Sequence, residues 1–358
     1  MRKILRIIKF FFFSLVALLV IAVVALLVLR AHRQNIIAKA IAIHTVNGVD
    51  EARYVKIGGI DQWIQIRGRD RENPAILCLH GGPGGSWLGN TTVFLPWEKE
   101  FTVVQWDQRG TGKTLKATGR SVAKTMSVDR MAQDGIEVSE FLRNHLHKDK
   151  IILLGFSWGS LLGIHMVKQK PDLFYAYVGT GQVTNMPKAQ QLSYAYVLDK
   201  ARAANDSWTL GKLKSIGPPP FDNMQKITAF FQVLRNYECE SDRNVPAGAL
   251  TAPNYTLRDI YNLFRGFAQV PTFKVYNEML SADLAMLGLD FRIPIFIIQG
   301  ADDERTQAIL AKSYFEKITA PHKEFVLIEG GGHFVALSMA DRFLDELVTR
   351  VRPMAVQP

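Results

Sequence analysis

Short hydrophobic bursts recur along most of this chain, separated by amphipathic stretches. "RYVKIGG" (53–59) and "QWIQIRG" (62–68) alternate apolar and polar positions and end in glycine, which predicts an antiparallel hairpin. Beyond it the pattern changes to continuous runs: "AILCL" from Ala75, "FTVVQW" from Phe101, "IILLG" from Ile151, "YAYVG" from Tyr175, "PIFIIQG" from Pro294 and "KEFVLIEG" from Lys323. Strands apolar on both faces suit a parallel sheet covered by helices on both sides. Helical spacing fills the gaps. Met131, Val138, Phe141, Leu142 and Leu146 fall on one face of a helix that Ser127 would cap, and a second helix runs from Ser157 and stops before Pro171. Residues 185–290 read as helical, with "PPP" at 218–220 and no buried strand, so they predict a cap inserted before the last two strands. The fold class is therefore α/β. The expected divisions are an N-terminal anchor (1–35), a first core segment (45–184), the cap (185–290) and a second core segment (291–358).

The longest apolar run is of another kind. Phe10–Leu29 is twenty residues without a charge, enough at about 1.5 Å per residue to cross about 30 Å of hydrocarbon. A cleaved signal peptide usually has a shorter apolar core and a small-x-small site, whereas this run ends in "LRAHRQN". An uncleaved single-pass signal anchor is expected. Four basic residues (Arg2, Lys3, Arg6, Lys9) precede the span and three (Arg30, Arg33, Lys39) follow it, which favours an inside N-terminus and a globular domain on the extracytoplasmic, periplasmic side. The same residues explain much of the net charge of +10. Beyond residue 39 the chain carries 36 basic and 33 acidic residues, so a nucleic-acid partner is not expected. Cys78 and Cys239 make no disulfide framework.

The chemistry centres on "LLGFSWGSLLG", Leu153–Gly163. G-x-S-x-G placed after a strand and before a helix is the context of a nucleophile elbow, which lifts a serine above the sheet edge at a helix N-terminus. Ser157 is the expected nucleophile. A serine needs a base, itself oriented by an acid, and on this architecture the chain order is serine, acid, histidine. His333, in "IEGGGHFVA" after the last strand, is the expected base; His322 precedes that strand and would lie at the wrong end of the sheet. "QGADDERTQ" offers Asp302, Asp303 and Glu304, and the spacing from Gly300 favours Asp303, with Asp302 the alternative. An oxyanion site is expected from the N–H groups of Trp158 and of Gly82 in the glycine-dense turn "LHGGPGG". "GTGKT" (110–114) is no phosphate loop, because the position five before Gly112 is Asp107 rather than glycine.

Together "HGGPGG", "WDQRGTG" (Trp106–Gly112) and "GFSWGS" resemble the proline iminopeptidase family of α/β-hydrolases, across most of residues 54–335. The resemblance implies an α/β-hydrolase fold and a serine aminopeptidase that releases an N-terminal residue, typically proline, from short peptides, without metal or organic cofactor. It implies Ser157 as nucleophile, His333 as base and Asp303 as its partner. Phe156 and Thr114 depart from the family's usual glycine and serine at those positions. The family also grips the substrate's free amine with cap carboxylates. Glu238, Glu240 and Asp242 in "YECESD", and Glu278, are the candidates here. The alternatives to a peptidase are a carboxylesterase or lactonase acting on small esters, and a non-catalytic binding protein on the same scaffold.

Overall fold

Each apolar burst becomes a strand in the computed structural model, which describes residues 2–245, 248–269 and 273–356. β1 (Val49–Ile57) and β2 (Ile60–Gly68) form the antiparallel hairpin. β3 (Ala75–Leu79), β4 (Thr102–Asp107), β5 (Ile151–Phe156), β6 (Phe174–Thr180), β7 (Ile295–Gly300) and β8 (Lys323–Ile328) follow. They join one sheet in the order β1-β2-β4-β3-β5-β6-β7-β8. β2 runs antiparallel to β1 and β4, and all pairings from β4 to β8 are parallel.

The continuous apolar runs have the expected cause. Alternate residues of β5 enter opposite layers: Ile151 and Leu153 pack with Leu142 and Leu162 on one face, while Ile152 and Leu154 pack with Phe343 and Leu347 on the other. Both faces exclude water, so no position along the strand can be polar without an internal partner.

The helices are α1 (Arg2–Ala40), α2 (Gly112–Thr118), α3 (Val128–Leu146) and α4 (Trp158–Gln169), then α5 to α10 between β6 and β7, α11 (Ala308–Lys317) between β7 and β8, and the short α12 (Val335–Ser338), α13 (Ala340–Glu346) and α14 (Pro353–Val356) after β8. Ser127 caps α3 by accepting the Arg130 N–H at 3.1 Å. The insertion holds α5 (Met186–Ala203), α6 (Ser207–Ile216), α7 (Met224–Leu234), α8 (Glu240–Arg243), α9 (Leu257–Gln269) and α10 (Phe273–Leu280), with no strand among its described residues. Its two ends meet. Asn185 and Asp283 form an isolated bridge, and the Asn185 amide donates to the Asp283 carboxylate at 2.8 Å. The 39-residue α1 contains the one described helix long and apolar enough to cross a membrane. Cys78 and Cys239 are both free thiols.

Candidate active site

The C-terminal ends of β3, β5, β7 and β8 carry four loops that converge. At the end of β5 the chain turns sharply into α4, leaving Ser157 at φ 52° and ψ −119°. A non-glycine residue in such a conformation stores about 1–3 kcal/mol of strain, and the surroundings must over-determine it. The Ser157 N–H donates to the Thr180 carbonyl at 3.0 Å. Its own carbonyl accepts from the Ser160 N–H at 2.8 Å and the Ser160 hydroxyl at 2.6 Å. The flanking glycines are required by crowding: a Cβ on Gly159 would lie 2.2 Å from the Leu79 carbonyl oxygen, and one on Gly155 would lie 2.6 Å from that of Gly159.

The turn after β3 packs against this elbow, with a Cβ on Gly81 placed 3.2 Å from Ser157 Cβ. Gly82 sits at φ +133°, where a Cβ would stand 2.5 Å from the Gly84 nitrogen, so only glycine makes the turn without strain. Trp158 opens α4, so no earlier turn of that helix supplies an acceptor for its N–H. Gln108, from the loop after β4, ties the two halves together. Its amide donates to the His80 carbonyl at 3.2 Å, and its oxygen accepts the Trp158 indole N–H at 3.0 Å. His80 is fully buried and its pKa is pushed down to about 4 by desolvation. Neutral, it donates from Nδ1 to the Gly81 carbonyl (2.8 Å) and accepts the Gln108 N–H at Nε2 (3.3 Å).

From the loop after β8, His333 brings Nε2 to 3.0 Å from Ser157 Oγ. Its Nδ1 lies 3.0 and 3.1 Å from the two Asp303 oxygens. With the ring proton on Nδ1 facing that carboxylate, Nε2 keeps its lone pair for the serine hydroxyl, the tautomer that base catalysis requires. Asp303 is 2% exposed. Burial raises its pKa, but the facing His333 and the Thr306 N–H and hydroxyl outweigh burial and hold it below the usual carboxylate range. The Gln299 amide also donates to it at 2.8 Å. Asp302 points to solvent instead. Glu304 is pushed up to about 7 by burial and by Asp303 and Asp302 beside it. The expected Ser157, His333 and Asp303 are thus brought together, with Gly82 and Trp158 alongside.

The cap carboxylates are placed otherwise. Glu238 is buried and paired with Arg305, whose Nε stands 2.5 Å from Oε1. Glu240 is exposed. Glu278 accepts the Val128 N–H at the start of α3 (2.8 Å), where the helix dipole favours a negative charge, and shares no contact with His333 or Ser157. Asp242 accepts the backbone N–H groups of His333 (2.7 Å) and Phe334 (2.9 Å), while the Ser241 hydroxyl accepts that of Gly332 at 3.2 Å. Burial raises the Asp242 pKa. The nearest of these residues to the triad therefore holds the histidine loop by its backbone. Gln108, Thr306, Gln299 and Asp242 in this supporting role were missed by sequence reasoning. Only Gln108 left a trace, as part of "WDQRGTG".

No group of three or more His, Cys, Asp or Glu side chains suited to a metal occurs among the described residues. Residues 74–338 match the model of the alpha/beta hydrolase fold family, and the chain belongs to that family. It is an enzyme of this fold with relatives named aminopeptidase and proline iminopeptidase. It is 29% identical over 305 residues to a probable aminopeptidase, YbaC, of Bacillus subtilis, covering 83% of this chain and 95% of that protein. To the proline iminopeptidase of Heyndrickxia coagulans it is 22% identical over 273 residues, 75% of this chain and 87% of the other. Among solved structures, the proline iminopeptidase of Mycobacterium smegmatis superposes with a TM-score of 0.60 at 19% identity, covering 86% and 99% of the two chains. An esterase of Rhodococcus, RhEst1, superposes with a TM-score of 0.55 at 15% identity, covering 85% and 98%.

Proposed function

We propose that the chain is a serine hydrolase working through an acyl-enzyme, and that it acts as an aminopeptidase releasing N-terminal proline or another small residue from short peptides. The observation that carries the chemistry is the run of contacts from Ser157 Oγ through His333 to Asp303. In this reading Ser157 attacks the substrate carbonyl while His333 Nε2 takes its proton. The N–H groups of Gly82 and Trp158 receive the negative oxygen, and the imidazolium returns its proton to the leaving group before water releases the acyl group. Asp303 orients the ring and stabilises its charged form. The 29% identity to a probable aminopeptidase, sustained over 83% of the chain, supports the peptidase substrate.

One observation favours a second reading, an esterase or lactonase. Glu238 is already neutralised by Arg305, so this cap carboxylate is not free to receive an amine. A proline arylamide and a panel of short-chain esters, offered to the unlabelled full chain while fluorophosphonate labelling of a separate sample locates the reactive residue, separate the cases. Labelling at Ser157 with arylamide turnover is expected. Labelling with ester turnover alone overturns the peptidase reading, and no labelling of folded protein overturns both.

In the same reading α1 crosses a membrane as an uncleaved anchor with its N-terminus inside, and the hydrolase body lies on the extracytoplasmic side. The mean hydropathy of 3.2 over its most apolar 18-residue window supports the span, and the basic residues before Phe10 support the orientation.

A further inference from the structure

The anchor helix does not end where its apolar run ends. Arg30, Gln34 and Ile37 are its half-covered positions after Leu29, and Ile41, just past its last residue, is buried, which together draw one stripe at i, i+4, i+7 and i+11. Along this stripe the helix is bonded to the body. Arg30 donates to the carbonyls of Leu250 (2.9 Å) and Tyr255 (2.6 Å), Gln34 donates to those of Ala252 and Tyr255, and the Ile41 carbonyl accepts from Arg67.

These contacts fix a direction. Arg67 pairs with Val103 near the N-terminal end of β4, whereas Tyr255 reaches the opposite end, where its hydroxyl lies 2.8 Å from that of Ser86, itself bonded to Asp107. Followed backwards from Ile41 to Arg30, the helix therefore climbs toward the catalytic edge of the sheet, and the apolar run leaves the body at that edge.

The same place carries unusual exposure. Leu250 is 58% exposed, and in α9 Leu257, Tyr261 and Phe264 are 52%, 55% and 67% exposed at i, i+4 and i+7, on one face. The flanking face is anchored, with Ile260 and Leu263 packing on Leu88, Ala252 and Tyr255. Leu257 follows Tyr255 by two residues, at most about 7 Å of chain, so α9 begins within the thickness of a headgroup layer of the end of the span. Arg33 and Arg258 are exposed at this level, as anionic headgroups would require.

We propose that Leu250 and the exposed face of α9 form a membrane-docking surface, seated in the headgroup region of the bilayer that α1 crosses, so that the catalytic edge of the sheet faces the lipid. The proposal rests on the reading of α1 as a span. The test uses the full chain with Cys239→Ser, since Cys78 is buried, reconstituted in vesicles of phosphatidylcholine and phosphatidylglycerol. A nitroxide is attached in turn through Phe264→Cys, Leu19→Cys in the span, and Glu72→Cys, an exposed turn position before β3 at the far end of the sheet. Collisions with oxygen relative to a water-soluble nickel chelate are then compared, with circular dichroism confirming that each variant is folded.

The expected ratio is highest for Leu19→Cys, and several-fold higher for Phe264→Cys than for Glu72→Cys. If Phe264→Cys matches Glu72→Cys while Leu19→Cys stays lipid-like, the span survives and the docking surface is overturned. Dipolar broadening between labels at position 264 of two copies would overturn it in favour of a dimer contact. A water-exposed label at Leu19→Cys overturns the span itself, and the docking surface with it.

Discussion

The elbow around Ser157 and the loop around His333 meet across 3.0 Å, yet they are held by different means. The elbow is built from its own neighbourhood: glycines two residues either side, a carbonyl on the next strand, and a hydroxyl three residues on. The histidine loop borrows its rigidity from a distance. Its three consecutive N–H groups, on Gly332, His333 and Phe334, are received by Ser241 and Asp242 of the cap, 91 or 92 positions earlier in the chain. On the proposed function, one half of the reacting pair is thus fixed by the core, and the other is fixed jointly by core and cap. Cap displacement should disturb the base before it disturbs the nucleophile.

Substitutions can break this contrast at several points. The largest effect belongs to Ser157→Gly: fluorophosphonate labelling and turnover should be lost, the latter by a factor on the order of 10⁴ or more. Relief of the strained backbone should stabilise the fold by about 1 kcal/mol, read from denaturant unfolding. A destabilised variant would show that the elbow stores no strain. Gly159→Ala tests how rigid the local half is. Its Cβ would meet the Leu79 and His80 backbone, 2.2 Å from the Leu79 oxygen, so a loss of about 3 kcal/mol is expected in the same measurement. Asp242→Ala tests the borrowed half by leaving the buried His333 and Phe334 N–H groups without their acceptor. The expected outcome is a roughly tenfold fall in kcat with KM nearly unchanged, alongside a loss of about 2 kcal/mol of stability. An unchanged kcat would detach the cap from the chemistry. Gln108→Leu should lower kcat by about fivefold, less than removal of an oxyanion donor, because it loosens both donors without deleting either.

The last effect is one of pH. His80 is held neutral down to about 4 in the fold, against an ordinary value of 6.5. Between those values the unfolded chain binds the extra proton, so stability rises with pH through this window and falls as pH drops from about 6.5 to about 4. Urea unfolding at both ends of the window should show a shallower loss for His80→Gln than for the native chain.

The same contrast explains how much the sequence disclosed. β3 to β7 were legible because burial on both faces leaves uninterrupted apolar runs, β1 and β2 because one face of a hairpin alternates with the other, and the Ser157 corner because its G-x-S-x-G signature lies within five residues. His333 and Asp303 could be chosen because strand order fixes which loops share an edge. Asp242 could not: a carboxylate in a helical cap has the same sequence signature whether it meets water, an amine or a backbone N–H. Asp242 and Glu278 are candidates for binding an amine by residue type alone, and in the fold their bonds go to the backbones of the histidine loop and of α3. Glu238 carries the same ambiguity, since nothing near it in sequence announces its partner Arg305.

One consequence follows from the unbroken course of α1 into the body. With that helix in a bilayer, the enzyme has no leash. Its catalytic groups ride at a set height above the lipid and share the tilt of the helix, so encounters become a search in two dimensions along one leaflet. Lengthening the rod by a single turn would raise the whole site by about 5.4 Å and rotate it little, a change in geometry without a change in chemistry.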